Sequence, residues 1–402
     1  MLSNLQTPYY QIDEFLLQKD INLLLSSLHT YWHPHNFIMG YSVKTNSLPW
    51  LLQFLRKNHF YAEIVSETEY TLVKHLGYEN SKIIYNGPIK EKDTFKEILL
   101  SGGVVNLDSN LELDFIEELS LANPNHIFSI GLRVNVNLSG INGETFTGKN
   151  GGRFGYCYED GTLCHVIDRL SKHNNIIISG LHMHSSSSSR TIEIYEKLAT
   201  MVCIIKEEFN LTLKYIDMGG GYYGGVPDKP NYLDYFKAIS TILKTTFNPN
   251  ETTLIVEPGV SLISTSSTFV STVKEVKDIR GQRYIVTDAS RVNLNPQVTR
   301  HHYPHHYHLI NDTSNRKTFD SQWICGFTCM EYDKLFEMKN EGELKVGDHI
   351  IFDNAGGYTM CLSPLFINYF PPIYIKKSNN TIFTAREAWG IHEYMQKHHL
   401  EQ

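Results

Sequence analysis

The run Phe37-Ile-Met-Gly-Tyr-Ser-Val43-Lys44-Thr45-Asn46 carries an apolar, strand-like segment straight into a lysine and then into polar turn residues. A lysine at such a strand end can face a cavity, where desolvation lowers its pKa and leaves the amine able to form a Schiff base; it can equally be a solvated terminus. Outward from it the same arrangement recurs. Tyr61–Val65, Ile83–Tyr85, Val104–Leu107, Ser129–Val134, Ile176–His182, Tyr215–Met218 and Thr253–Glu257 read as further strands, joining Phe37–Val43. Amphipathic stretches separate them, the clearest being Ile192 to Phe209, with Ile192, Tyr195, Leu198, Val202, Ile205 and Phe209 along one face. Strands alternating with helices over roughly 225 residues predict a (β/α)8 barrel, with an open doubly wound sheet as the alternative of similar periodicity. The groups that carry chemistry fall just after strands: Lys44, His184, Gly219–Gly221 and Glu257. Barrel active sites occupy that face, which favours the barrel.

After Gly259 the texture changes. Thr268–Val276, Arg283–Thr287, His349–Phe352 and Ile382–Ala385 read as strands with few long helices between them, and Gly342–Asp348 reads as a turn into His349–Phe352. The expected organisation is an N-terminal segment, 1–34, joined to either domain, a barrel over 35–264, and a mainly β domain over 265–402. A chain of 402 residues suits two domains. Its net charge of −7, with no dense lysine or arginine block, argues against nucleic acid as a partner. The opening MLSNLQTPYYQIDEF has no basic-then-apolar pattern and no apolar run reaches membrane-spanning length, so no membrane partner and a cytoplasmic location are expected. Cys157, Cys164, Cys203, Cys325, Cys329 and Cys361 are scattered without a CxxC pair and read as reduced thiols. The tract Arg300-His-His-Tyr-Pro-His-His-Tyr-His308 has irregular spacing, an interrupting proline and no carboxylate; it reads as an exposed or interface loop, and no metal site is expected.

Two short motifs add chemistry. Gly219-Gly220-Gly221 lets backbone N–H groups turn inward around an anion, or forms a plain tight turn, with Asp217 placed to hold it. It is not GxGxxG, and no Walker lysine and serine follow, so dinucleotide and ATP sites are disfavoured. Glu257-Pro258-Gly259 ends an apolar strand in a carboxylate, which requires a cationic or protonated partner in the cavity; a pyridine nitrogen would serve, as would a structural ion pair.

In order along almost the full length, these segments resemble the fold type III, alanine-racemase-like pyridoxal-phosphate decarboxylases, the family of the diaminopimelate, ornithine and arginine enzymes. Tyr41-Ser-Val-Lys44-Thr-Asn46 resembles the Schiff-base segment YAVKAN, and Glu63-Ile-Val-Ser66-Glu-Thr-Glu69 the DVAS-x-x-E segment. Leu132-Arg133-Val-Asn135 resembles LRxN, Gly152-Arg-Phe154-Gly155 the KFG element, and His182-Met-His184-Ser-Ser-Ser187 the H-x-H-x-G-S segment. Cys325-Gly326-Phe-Thr-Cys329 resembles G-P-x-C, Asn354-Ala-Gly-Gly-Tyr358 the G-A-Y segment, and Phe366-Ile-Asn368-Tyr-Phe370 the F-N-G-F segment.

The resemblance implies pyridoxal 5'-phosphate bound to Lys44, stacked by His184, held at the phosphate by Gly219, Gly220, Gly221 and Ser187, and at the ring nitrogen by Glu257. Arg133, Gly259 and Tyr358 complete the implied cofactor contacts. It implies decarboxylation of an amino acid at Cα, with Cys329 returning a proton. It also implies a homodimer in which Cys329 and Tyr358 serve the partner's site, with Cys329, Met330, Glu331 and Tyr358 as the substrate-binding residues. Departures bear on substrate. The family's arginine after Glu-Pro-Gly is Val260, its acidic residue after the cysteine is Met330 with Glu331 one step later, and an Arg-Pro segment becomes Asn295-Pro296. The substrate expected is therefore a modified or non-standard amino acid. A diaminopimelate or ornithine/lysine decarboxylase with altered distal recognition, a racemase, and a catalytically inactive regulatory homologue are the alternatives.

Overall fold

The computed structural model describes residues 5–142, 152–296 and 306–401, so residues 300–305 of the histidine tract lie outside the described residues. The chain divides into two compact units, residues 20–261 and residues 1–19 with 262–402.

In the first unit eight parallel strands follow the expected alternation: β1 (Phe37–Ser42), β2 (Tyr61–Ile64), β3 (Ile83–Tyr85), β4 (Val104–Leu107), β5 (Phe128–Asn135), β6 (Ile176–His182), β7 (Tyr215–Asp217) and β8 (Thr253–Val256). Each pairs with its neighbour, β8 returns to β1, and β4 pairs with β5, so the sheet closes into the (β/α)8 barrel and the open doubly wound alternative falls away. A two-residue strand, Tyr156–Cys157, adds beside β5. Strand parity divides the side chains. Ile64, Val105, Leu107, Ile130, Leu132, Leu181, Ile216 and Val256 are fully buried or nearly so. The helix Ile192–Glu208 buries Tyr195, Leu198, Val202 and Ile205, as its spacing requires, and adds Ile194 and Met201.

The other parity faces the barrel interior. A Cβ on Gly40 would lie 2.7 Å from Ile84 and 3.7 Å from Glu257, which puts three strands' residues against one another inside the ring. On β5 and β6, Gly131 and Gly180 leave space that the ring of Tyr215 fills: a Cβ on Gly180 would lie 2.1 Å from that ring, and one on Gly131 2.2 Å from its hydroxyl.

The second unit is built on an antiparallel-rich sheet in the order Lys334–Met338, Gln322–Cys325, Gln282–Thr287, Ser267–Ile279, Tyr9–Asp13, Ile373–Lys376, Ile382–Arg386. His349–Phe352 pairs with Ser267–Ile279 and with Tyr307–Leu309. The strand of the opening segment thus sits inside this sheet, antiparallel to Ser267–Ile279 and parallel to Ile373–Lys376. Gln322–Cys325, Lys334–Met338 and Ile373–Lys376 are strands that the sequence pattern does not reveal. Among the described residues no helix is long and apolar enough to cross a membrane.

The interior fit around Tyr215 gives a first test. Gly180→Ala should cost about 1–3 kcal/mol through overpacking, read from urea denaturation, and Tyr215→Leu in the same chain should recover part of that loss.

Candidate active site

Lys44 does not continue β1. Val43–Thr45 forms one 3-10 turn at the strand's end. Gly259 packs on that turn, since a Cβ there would lie 2.2 Å from Thr45 Oγ1. The lysine side chain is 41% exposed and its Nζ lies 2.6 Å from Glu63 Oε2. A desolvated amine is therefore not the setting found: the lysine is held by an ion pair with a buried carboxylate rather than by burial. Ser42 Oγ donates to the same Glu63 oxygen at 2.6 Å. Behind it Glu69 accepts the Val65 N–H at 2.7 Å, and burial, reinforced by the charge of Glu63, pushes its carboxyl up to about 7.

Glu257 lies at the end of β8, 5% exposed. Asn86 Nδ2 donates to its Oε1 at 2.5 Å, and its Oε2 lies 3.5 Å from His182 Nε2. Its third neighbour is Asp217, at the end of β7 and fully buried. One ligand-type atom from each of His182, Asp217 and Glu257 falls within 4.8 Å of the other two. Two carboxylates that close and out of water do not both ionise. Burial, then the charge and hydrogen bond of Glu257, push the Asp217 carboxyl far above the usual carboxylate range. Burial, followed by the positive charge of Arg133, holds His182 well below the usual imidazole range, so it is neutral. Asp217 thus stands beside Glu257 as a protonated carboxyl.

The glycine loop and His184 meet here. Gly219 has φ +62°, and a Cβ on it would lie 2.7 Å from the His184 Cβ; a Cβ on Gly220 would lie 2.1 Å from the Glu257 carbonyl oxygen. Only a residue without a side chain permits either approach. Asp217 Oδ1 accepts the Gly219 N–H at 2.9 Å, holding the loop as its position suggests. Burial, with Arg133 adding to it, pushes the His184 imidazole down to about 3. Its Nδ1 and the Ser185 hydroxyl have no partner among the described residues and line a cavity of about 310 Å³ with Arg133, Asn135 and Phe154. Arg133 lies 4.6 Å over the Phe154 ring and 3.7 Å from Asp108. Ser187 Oγ accepts the N–H groups of Ser189 and Arg190, forming a compact serine turn after His184.

The structure gathers Lys44, Arg133, His184, Ser187, Gly219–Gly221, Glu257 and Gly259 at the C-terminal end of the barrel strands. Cys329, Met330, Glu331 and Tyr358 lie in the other unit. There Cys329 and Glu331 are exposed and Met330 is half-buried. Their loop is fixed at its base by buried Asp333, whose Oδ2 accepts from Ser290 Oγ at 2.9 Å and the Thr328 N–H at 3.1 Å, and whose Oδ1 accepts the Arg291 N–H at 2.9 Å. Tyr358 is held at φ +55°, a conformation that bulky residues rarely adopt.

Residues 20–264 match the family described as "Pyridoxal-dependent decarboxylase, pyridoxal binding domain". The chain belongs to this family. It is a pyridoxal-phosphate-dependent amino-acid decarboxylase. A probable chloroplastic diaminopimelate decarboxylase of Oryza sativa subsp. japonica is 26% identical over 370 residues, 89% of this chain and 73% of that protein. The L-glutamyl-[BtrI acyl-carrier protein] decarboxylase of Niallia circulans is 25% identical over 397 residues, 94% and 90% of the two chains. The crystal structure of the Methanocaldococcus jannaschii diaminopimelate decarboxylase superposes with a TM-score of 0.85 at 21% identity, covering 98% of this chain and 92% of that one.

The decarboxylase's own residues fit the cofactor. A lysine amine, a buried carboxylate, a neutral imidazole and a glycine loop gather at the ends of the barrel strands, and the His184 and Ser185 side chains are buried polar groups left to pair beside a cavity, donors and acceptors of the kind a phosphorylated pyridine aldehyde requires. Asn86 and Asn106 belong to this site and went unnoticed in the sequence. Their signal was weak but present: Asn86 directly follows β3, as Lys44 and Glu257 follow their strands.

The low proton affinity of His184 sets a pH dependence. Its folded pKa of about 3 lies below the ordinary 6.5, so its contribution to stability is complete above pH 6.5 and is lost as pH falls toward 3. Between pH 7 and pH 5 this single ring should remove at most about 2 kcal/mol. His184→Gln should be less acid-sensitive than the parent by that margin, measured as the difference in denaturation free energy at the two pH values.

Proposed function

We propose that the enzyme decarboxylates, at Cα, an amino acid whose side-chain end bears neither a free ammonium nor a free carboxylate, one joined through that end to another group. The observation that carries this is Met330, half-buried directly after Cys329, where the diaminopimelate and ornithine enzymes resembled here have an acidic residue. Glu331, the nearest acid, is exposed. Asn295, in place of an arginine, is 7% exposed, and Val260 replaces another. A distal ammonium taken into such a surface lacks a charge partner, which costs several kcal/mol on general grounds. The similar Niallia circulans protein, whose name gives a carrier-linked glutamyl group as its substrate, supports the same class. The substrate's α-amine must be free, because it takes the place of the Lys44 amine.

Pyridoxal phosphate, when bound, supplies the sink for the electron pair left as CO2 departs. In this reading Lys44 anchors it, and Glu63 holds the lysine in place beforehand. Glu257 keeps the proton on the ring nitrogen, and His184, being neutral, offers a flat face without competing for that charge. Gly219–Gly221, Gly259, Ser187 and Arg133 hold the phosphate end. Cys329 and Tyr358 serve the site of a second copy in a homodimer, with the Cys329 thiol returning a proton to Cα.

The test is CO2 release by dialysed protein resupplied with cofactor. Glutamate or another amino acid blocked at its side-chain end should exceed free ornithine, lysine and diaminopimelate, and Met330→Glu should raise activity on the free diamino substrates. Efficiency near ~10^5 M⁻¹s⁻¹ on free diaminopimelate or ornithine would refute the substrate class.

Shared sites predict complementation. Lys44→Ala and Cys329→Ala subunits, each inactive, should regain part of the parental activity when mixed, because one heterodimer site is intact. Full activity in a solution monomer, shown by sedimentation, is the contrary outcome.

A further inference from the structure

Beneath the candidate site, side chains from β3, β4, β7 and β8 form one hydrogen-bonded layer across the inside of the barrel. Tyr215 OH donates to Asn106 Oδ1 at 2.9 Å. Asn106 Nδ2 donates to Asn86 Oδ1 at 2.8 Å and to Asp217 Oδ2 at 3.2 Å. Asn86 Nδ2 completes the chain on Glu257 Oε1. Asn86, Asn106, Asp217 and Glu257 are all 5% exposed or less. In the ring order β4 stands opposite β8, and β3 opposite β7, so the layer spans the barrel from wall to wall.

We propose that Asp217, Asn106 and Asn86 are positioning residues that fix the carboxylate of Glu257, and that this inward-running hydrogen-bond chain sets how Glu257 meets the cofactor's ring nitrogen. This rests on the reading of Glu257 given above. The donor inventory leaves one direction for the chain. Both amide hydrogens of Asn106 meet acceptors, and its carbonyl faces the tyrosine hydroxyl; turning the amide over would set its oxygen against those of Asn86 and Asp217. Asn86 is fixed in the same way between Asn106 and Glu257. Each donor is polarised by the one behind it, and all of them point toward Glu257.

Asp217 completes the arrangement. Burial, then the charge and hydrogen bond of Glu257, push the Asp217 carboxyl far above the usual carboxylate range, so Asp217 holds a proton beside Glu257. Asp217 is thereby a donor toward Glu257 while it accepts from Gly219, so one side chain couples the ring-end carboxylate to the glycine loop. The backbone makes the same connection, with the Glu257 N–H donating to the Gly219 carbonyl at 2.7 Å. Gly131 leaves the room: a Cβ there would lie 2.0 Å from Asn106 Oδ1.

The experiment compares the parent with Asp217→Asn, Asp217→Ala and Asn86→Leu. Infrared spectroscopy of the cofactor-free proteins at neutral pH should show a protonated-carboxyl band that is smaller in both Asp217 variants than in the parent, Glu69 contributing the part that remains. Asn86→Leu and Asp217→Ala should weaken pyridoxal phosphate binding about tenfold, the loss of one hydrogen bond to a charged group, and should shift the absorbance of the bound cofactor. Asp217→Asn, which keeps the donor, should stay within about threefold of the parent, roughly half of that loss in free energy. A protonated-carboxyl band of equal size in the parent and both Asp217 variants overturns the proposal. So does parental binding and absorbance in Asp217→Ala and Asn86→Leu, including the case where only melting temperature falls, which marks a structural role. Borohydride trapping of the parent separates this from the underlying reading. Failure to label Lys44 removes the role of Glu257, and the proposal with it, whatever the infrared band shows.

Discussion

A carboxylate held inside a barrel, out of reach of water, must be satisfied by the protein, and the upper half of this barrel answers that demand at Glu257. A (β/α)8 barrel ordinarily fills its interior with layers of branched apolar side chains. Here the inward positions nearest the C-terminal ends of the strands are instead Ser42, Glu63, Asn86, Asn106, His182, Asp217 and Glu257. A polar layer of this kind is favourable only when every member is paired. The amides supply donors, Asp217 supplies a proton, and His182 stays neutral beside Glu257, which keeps down the charge buried in the layer. The lysine side follows the same logic on a smaller scale, with Glu63 taking both Ser42 and Lys44.

Much of the barrel was legible because its strands are short apolar runs that end in a polar residue, and the observed strands begin and end within a residue or two of those runs. Gly219–Gly221 and Glu257-Pro-Gly were legible for the same reason: each interrupts a run abruptly. The amide layer was not. Asn86 and Glu257 are 171 positions apart, and an asparagine in a strand such as Val104–Leu107 gives no local sign that its partner lies across the barrel. The exposure of Lys44 was left open in the sequence because it depends on the 3-10 turn at Val43–Thr45 and on Glu63, whose pairing with the lysine has no local signal. In the β domain, Gln322–Cys325 and Lys334–Met338 are half-buried strands with mixed residues, so their alternation is too short to separate from loop.

The β-domain loop proposed to meet the substrate is a different kind of construction. The loop that carries Cys329 and Met330 closes on Asp333, which gathers Ser290, Arg291 and Thr328 onto one buried carboxylate, and Gly326 packs so tightly there that a Cβ would lie 2.1 Å from it. Fixing the base in this way leaves residues 329–332 outside the sheet's hydrogen bonding. The tip can change chemistry, as Met330 and Glu331 illustrate, without disturbing the strands that present it.

The fit of Tyr215 against Gly131 and Gly180 has a consequence for how such a sequence can drift. Neither glycine can acquire a side chain while the tyrosine is present, and the tyrosine cannot be shortened without stranding the Asn106 carbonyl. The four positions form a locked set in which any first step is penalised and only a paired exchange passes. Among descendants of this chain, variation should therefore reach the loop tip of the β domain long before it reaches this corner of the barrel, and where it does reach it, changes at 131, 180 and 215 should arrive together.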